Sequence, residues 1–287
     1  MQMTVFEDIE GLSAALDNYR NQGYRIGFVP TMGALHPGHL SLMTLARTSC
    51  DVVVVSIFVN PTQFNQASDL TRYPRTIDKD LTMLREHKCD CVFVPSVAEI
   101  YPAGLFKEHW DFGLLSSSLE GSFRPGHFDG VLTVVKRLFE IVQPHEAFFG
   151  EKDFQQLTHI RRMVEAEKLD IKVVAGPTIR ESDGLAMSSR NTRLSPESRL
   201  AATQLSKTLF AMRERTSEMS PPQLEQWGRG DLVIKPQIRL EYLEIIDAET
   251  FAPVADWGDS LNPVILCAAW VGEVRLIDNI ILGKHKH

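Results

Sequence analysis

Asp51-Val52-Val53-Val54-Val55-Ser56-Ile57-Phe58-Val59 is a nearly continuous β-branched run. A strand with one wet face alternates apolar and polar side chains; this one does not, so both of its faces are expected to be buried. That is the pattern of an inner strand in a parallel sheet with helices on either side. From Val52 to Val59 the run is only eight residues long and contains Ser56, far too short to cross a bilayer.

Elements of alternating type flank this strand. Upstream, Arg25–Pro30 reads as a short apolar strand, and His39–Ser49, with Leu42, Met43, Leu45 and Ala46, as a helix packed on one face. Downstream, Asp78–His87 reads as a helix, Cys89–Val94 as a strand and Val131–Val142 as a helix apolar all round. Ala147–Phe149 follows as a short strand, Phe154–Lys168 as an amphipathic helix and Ile171–Ala175 as another strand. Such alternation implies an α/β fold: a Rossmann-like parallel sheet with right-handed crossovers. Ligands of such sheets bind beyond the carboxyl ends of the strands, here after Pro30, Val59, Phe149 and Ala175. Gly176-Pro177 is the expected boundary between a domain over 1–177 and a smaller α+β domain over 178–287. In the latter, Pro196–Glu214 reads as a helix and Ser217–Gly230 as a polar stretch interrupted by Pro221-Pro222. Leu240–Asp247 and Pro263–Trp270 read as strands, with Val274–Ile281 as a third.

Composition narrows the partners. The chain has 287 residues and a net charge of −7, without the Lys and Arg excess that a general nucleic-acid or membrane-surface binder needs. Any phosphate or carboxylate must therefore be held by local groups. The four cysteines, Cys50, Cys89, Cys91 and Cys267, lack the paired Cys-x2-Cys spacing of a zinc site. No metal ligand set is expected from them, and few unpaired thiols fit a reducing compartment. The amino terminus is acidic and without an apolar run, unlike a signal peptide. The expected location is the cytoplasm.

The strand at Arg25–Pro30 runs into Thr31-Met32-Gly33-Ala34-Leu35-His36-Pro37-Gly38-His39. Gly33 and Gly38 permit close backbone approach or a positive φ. Pro37 suits the first position of a helix, where its missing N–H is no loss. His36 and His39 then lie three apart in the opening turn, on one face. The unpaired N–H groups and partial positive charge of a helix N-terminus make an anion site, and two imidazoles beside it suit a triphosphate.

This stretch resembles the HIGH motif of nucleotidyl transferases and class I aminoacyl-tRNA synthetases. Within that superfamily, Pro-Thr-Met-Gly-Ala-Leu-His-x-Gly-His is similar to the pantothenate synthetase family in particular. Val59-Asn60-Pro61-Thr62-Gln63-Phe64, Tyr73-Pro74-Arg75-Thr76, Arg124–Val131, Phe149–Gln156 and Asp183–Asn191 follow in the family's order, so the resemblance covers about residues 24–195. It implies an AMP-forming ligase of coenzyme A biosynthesis. MgATP activates the carboxylate of pantoate as pantoyl adenylate, pyrophosphate leaves, and β-alanine then displaces AMP. A homodimer is implied as well, without nucleic-acid or membrane partners.

The resemblance also distributes roles. Met32, Gly33, His36, Gly38, His39, Gly150, Glu151, Lys152, Asp153, Ile179, Met187, Ser188, Ser189 and Arg190 are implied to bind ATP. Among them His36, His39, Lys152 and Arg190 act on the transition state, and the superfamily treats the second histidine as a proton donor. Gln63 and Gln156 are implied to bind pantoate. Read by itself, Gln63 is a glutamine just past a strand, able to donate to a carboxylate and accept from a hydroxyl. Asp153 and Gln156 also have capping-box spacing for the helix that follows. Met187-Ser188-Ser189-Arg190 resembles the KMSKS loop, with Ala186 where the first lysine would stand; Lys152 is expected to supply the missing charge. Asp78 and Asp80 suit either a water-mediated Mg²⁺ contact near the phosphates or a solvated helix face. Arg124, His127 and Asp129 fit the acid pocket or a subunit contact. The alternative function is an adenylyltransferase acting on a phosphate-bearing acceptor, which would want more Lys and Arg in the acceptor pocket than this pair of glutamines.

Overall fold

A computed structural model describes residues 3–283. Met1 and Gln2, which open the segment read as unlike a leader, lie outside it, as do residues 284–287. The chain divides into two compact units: residues up to Glu151 together with Gln155–Pro177, and Lys152–Phe154 together with everything from Thr178 onward.

In the first unit β1 (Thr4–Phe6) leads into α1 (Ile9–Asn21), β2 (Ile26–Thr31), α2 (Pro37–Ala46) and β3 (Val52–Ile57). Then come α3 (Ala67–Arg72), α4 (Ile77–Glu86), β4 (Cys91–Phe93) and three short helices, α5 (Val97–Ile100), α6 (Leu114–Ser117) and α7 (Glu120–Phe123). α8 (His127–Val142), β5 (Glu146–Gly150), α9 (Phe154–Ala166) and β6 (Lys172–Gly176) complete the series. The six strands form one parallel sheet in the order β1-β4-β3-β2-β5-β6. From β2 the chain steps outward through β3 to β4; β5 then returns to the other side of β2. The strand order reverses between β2 and β5, the switch point at which open α/β sheets leave a crevice at the carboxyl ends of their strands.

The nearly unbroken apolar run of β3 has a direct cause: every residue from Val52 to Ile57, Ser56 included, is buried. Val52 and Val54 enter one core with Phe28, Leu12 and Leu16 of α1, and Val131 and Leu138 of α8. Val53, Val55 and Ile57 enter a second core, with Val29 of β2, Leu40 and Met43 of α2, and Leu84 of α4. The four cysteines are buried thiols. Burial pushes Cys89 and Cys91 up to about 12, away from the thiolate form.

The second unit contains α10 (Pro196–Glu214), α11 (Pro221–Val233), β7 (Ile238–Asp247), β8 (Pro263–Val271) and β9 (Val274–Ile281). The strands form an antiparallel sheet, β7-β8-β9. It packs Leu243, Ile245 and Ile265 against Leu205 and Leu209 of α10 and Leu224 of α11. Here one expectation is corrected. Pro221-Pro222 does not interrupt the polar stretch 217–230; the two prolines open α11. At the first helical positions their missing N–H groups are no loss, and Gln223 accepts from the backbone N–H of Ser220 at 3.1 Å. The buried Leu224, Gly228 and Leu232 lie four apart, one stripe of a helix.

Candidate functional site

The carboxyl end of β2 delivers the imidazole pair. Pro37 is the first residue of α2, and His36, with extended backbone, is its N-cap. The rings of His36 and His39 lie 4.0 Å apart, tilted 38°. The backbone N–H of His36 donates to Nδ1 of His39 at 3.3 Å. In a neutral ring an accepting Nδ1 puts the proton on Nε2. His39 is thus held in the tautomer whose Nε2–H donates, the form a phosphate oxygen requires. Met32, His36, Gly38 and His39 are half-buried, while Gly33 is buried at φ +77°.

Gln63 closes a short 3-10 turn, Pro61–Gln63, just past β3. Its amide oxygen accepts from Asn60 Nδ2 at 3.1 Å, and its Nε2 donates to the sulfur of Met32 at 3.2 Å. Its backbone carbonyl accepts from Nδ1 of the buried His127 at 2.8 Å. Asn60 is itself buried: its oxygen accepts from Tyr101 at 2.8 Å and its amide donates to the Gly130 carbonyl at 3.0 Å. A Cβ on Gly130 would fall 2.5 Å from the Thr62 carbonyl oxygen, so only glycine lets α8 lie this close. His127 and Gly130 therefore serve the Gln63 turn. Arg124 pairs with Glu120 at 3.3 Å, and Asp129 faces His109 at 3.1 Å. Sequence reasoning missed Asn60 and Tyr101 as supports, although Asn before Pro is a turn signal.

At the end of β5, Gly150 is half-buried and Glu151–Asp153 forms a 3-10 turn ahead of α9. Gln156, in the first turn of α9, is half-buried, and its amide makes no hydrogen bond among the described residues. The adjacent Gln155 is buried and fully engaged, accepting from Glu120 N–H at 3.0 Å and donating to Leu115 and Ser118 carbonyls at 2.7 and 3.0 Å. The two neighbours differ: the Gln155 amide is fully spent on backbone, and the Gln156 amide is not.

In the second unit, the segments around Lys152 and the KMSKS-like loop share one support. Asn279 of β9 donates to the Lys152 carbonyl at 2.8 Å. Its neighbour Asp278 holds Arg180 bidentately at 2.7 and 2.9 Å. Arg180 bridges to Ala186, and the N–H of Met187 donates to the Ile179 carbonyl at 2.9 Å, which brings Ile179 beside the loop. Ser188 caps the turn Ser189–Arg193, its hydroxyl accepting from Arg190 N–H at 3.3 Å. Ala186 is 3% exposed. The position that holds the first lysine of the KMSKS pattern is thus a buried alanine in this chain. Lys152 and Arg190 are half-buried, and Asp153 is exposed.

The reading of Asp80 as a solvated or metal-binding acid is corrected. It is 1% exposed, and its carboxylate accepts from the N–H groups of Ala34 and Leu35, both at 2.9 Å. Asp78 is exposed on α4. Among the described residues no group of three or more His, Cys, Asp or Glu is arranged to hold a metal, and no helix is long and apolar enough to cross a membrane.

A six-stranded parallel sheet with a His-x-Gly-His turn at its switch point defines an α/β enzyme of the HIGH-motif class. The pantoate–β-alanine ligase family profile matches residues 4–281. A pantothenate synthetase of Bacteroides fragilis is 45% identical over 278 residues, covering 97% of this chain and 98% of that one. The crystal structure of pantothenate synthetase from Thermus thermophilus is 44% identical with a TM-score of 0.92, covering 98% and 100% of the two chains. A pantoate–β-alanine ligase of Francisella tularensis, solved with β-γ ATP and β-alanine, is 35% identical with a TM-score of 0.81, covering 98% of each. The chain belongs to the pantoate–β-alanine ligase family. It is a ligase that joins pantoate to β-alanine to give pantothenate.

Proposed function

We propose that this ligation runs through an adenylate. A carboxylate is a poor electrophile because its leaving group would be oxide. Transfer of AMP from MgATP makes the mixed anhydride pantoyl adenylate and releases pyrophosphate. The amine of β-alanine then attacks the acyl carbon, the C–N bond forms, and AMP leaves with the C–O bond electrons. No covalent bond to the protein is needed; the work is in-line positioning and stabilisation of growing charge.

The observation that carries this reading is the imidazole pair at the head of α2, with His39 held as an Nε2–H donor by the His36 amide. Such donors, together with the helix N-terminus, suit a polyphosphate that gains charge as it leaves. Lys152, Ser188, Ser189 and Arg190 are proposed to serve the same charge. Met32, Gly33, Gly38, Gly150, Glu151, Asp153, Ile179 and Met187 are proposed to contact the rest of ATP. Gln63 and Gln156 are proposed to hold the hydroxyl and carboxylate of pantoate. Mg²⁺ is proposed to arrive as part of MgATP, held mainly by the phosphates and water, as this ion commonly is. That assignment suits a chain whose Asp80 is already committed to backbone. The first unit is proposed as the ATP- and pantoate-binding domain and the second as the carrier of the KMSKS-like loop. The enzyme is proposed to work in the cytoplasm as a homodimer.

The test is ATP–pyrophosphate exchange with and without pantoate, in the absence of β-alanine. Exchange that requires pantoate alone is expected. Exchange that requires β-alanine would point to a concerted route and remove the adenylate.

A further inference from the structure

We propose that Asp80 is a positioning residue for adenylate formation. Its carboxylate takes the place a phosphate holds in other nucleotide-binding turns, and so sets the position of His36 and His39. The proposal rests on the adenylate reading above.

Burying a carboxylate is costly unless its oxygens are satisfied. Asp80 is 1% exposed, and three neutral donors meet it: Ala34 N–H on Oδ2 and Leu35 N–H on Oδ1, both at 2.9 Å, and the Thr76 hydroxyl on Oδ1 at 3.2 Å. It lies in the first turn of α4, where the helix dipole favours negative charge. The turn it grips is an unusual one. Gly33 has φ +77° and Ala34 φ +50°, two successive left-handed residues, of which the alanine is strained. Consecutive backbone N–H groups that converge on one point, as those of Ala34 and Leu35 do, form a nest for an anion, which in phosphate-binding loops is the ligand itself. Here the protein's own carboxylate occupies the nest. The Ala34 and Leu35 amides are therefore spent, and recognition of the polyphosphate passes to the next residues in the chain, His36 and His39.

The surroundings fit this assignment. A Cβ on Gly33 would lie 3.0 Å from Ile57 Cγ2 and 3.1 Å from Asp80 Oδ2, so Gly33 both adopts the positive φ and makes room for the carboxylate. Thr31 ties the turn to the sheet: its hydroxyl accepts from Gly33 N–H at 3.1 Å and donates to the Ser56 carbonyl at 2.7 Å. Leu35 is buried immediately before His36. A turn pinned on both sides leaves its last residue, the N-cap of α2, little freedom, and α2 carries both rings.

Asp80→Asn tests this. Each carboxylate oxygen receives one backbone N–H, so either orientation of the amide sets an NH₂ against a donor. The expected result is a loss of about 10- to 100-fold in kcat for pantoate-dependent ATP–pyrophosphate exchange, the scale of a displaced catalytic group. Amide formation from supplied pantoyl adenylate and β-alanine, measured separately, should stay within about threefold of the unmodified enzyme. Exchange at the unmodified rate, or equal losses in both half-reactions, would overturn the proposal. Should circular dichroism show Asp80→Asn unfolded, Thr76→Val carries the same test, since it removes the third donor to the same carboxylate. An unmodified enzyme without pantoate-dependent exchange would overturn the adenylate reading and this proposal with it.

Discussion

Gln155 and Gln156 are adjacent, identical in chemistry and opposite in employment. Gln155 spends its amide on Glu120, Leu115 and Ser118, whereas the Gln156 amide has no hydrogen bond among the described residues. Gln155→Ala should therefore lower stability by roughly 1–3 kcal/mol, the scale of stranding buried polar partners, as read by urea unfolding. Gln156→Ala should leave stability near that of the unmodified enzyme, whereas Gln63→Ala also strands one amide proton of the buried Asn60; both should raise the pantoate KM far more than the ATP KM. Equal rises for both substrates would mean that these glutamines shape the pocket as a whole. In the sequence, only the family resemblance gives Gln156 a ligand role; its spacing from Asp153 points instead to a helix cap, a bond its amide does not make among the described residues. His36 and His39 are legible from the residues themselves, because Pro37 marks the helix start and places both rings in its first turn. Asp80 is not, because an acid in a first turn reads as solvated until the buried loop over it is seen.

Among elements, the contact between α8 and the Gln63 turn places Thr62 and Gln63 against the backbone of Gly130. Gly130→Ala forces these apart. Overpacking of this kind typically costs about 1–3 kcal/mol. The expected outcome is a lower melting temperature together with a raised pantoate KM and a nearly unchanged ATP KM. A loss of stability with both KM values unchanged would separate α8 from pantoate binding. Sequence periodicity finds α8, α9 and α10, because their buried faces recur at helical spacing. It misses the start of α8 by four residues, since His127-Phe128-Asp129-Gly130 carries no apolar rhythm and its reason for being helical is the turn it supports. The prolines of α11 mislead because Pro-Pro stops a helix anywhere except at its first positions. β1, at three residues, and the helices α5, α6 and α7, at four each, are too short for periodicity to register.

Over the whole molecule, the α/β architecture is legible because β3 has two cores to satisfy and no room for a polar residue beyond Ser56. The edge position of β1 is not, because its partner, β4, lies more than eighty residues away in the chain and nothing local encodes that pairing. One global property follows from a buried histidine. His159 stacks on Phe128 with ring centroids 3.8 Å apart, and burial lowers its pKa to about 4. The unfolded chain binds this proton near pH 6.5 and the native protein only near 4, so stability is full above about 6.5 and falls as the pH drops towards 4. The loss over that window is on the order of 3 kcal/mol. His159→Gln should flatten the urea-unfolding profile there; an unchanged slope would show that His159 is not the group responsible. The central claim, that His39 and Lys152 act on charge which grows as pyrophosphate leaves, is tested most directly by rapid-quench measurement of each half-reaction. In His39→Ala and Lys152→Ala, adenylate formation should slow by about 10²–10³-fold, the usual effect of removing one such donor, while amide formation from supplied pantoyl adenylate suffers much less. Equal slowing of both half-reactions would contradict the account, because pyrophosphate is already gone before the second begins.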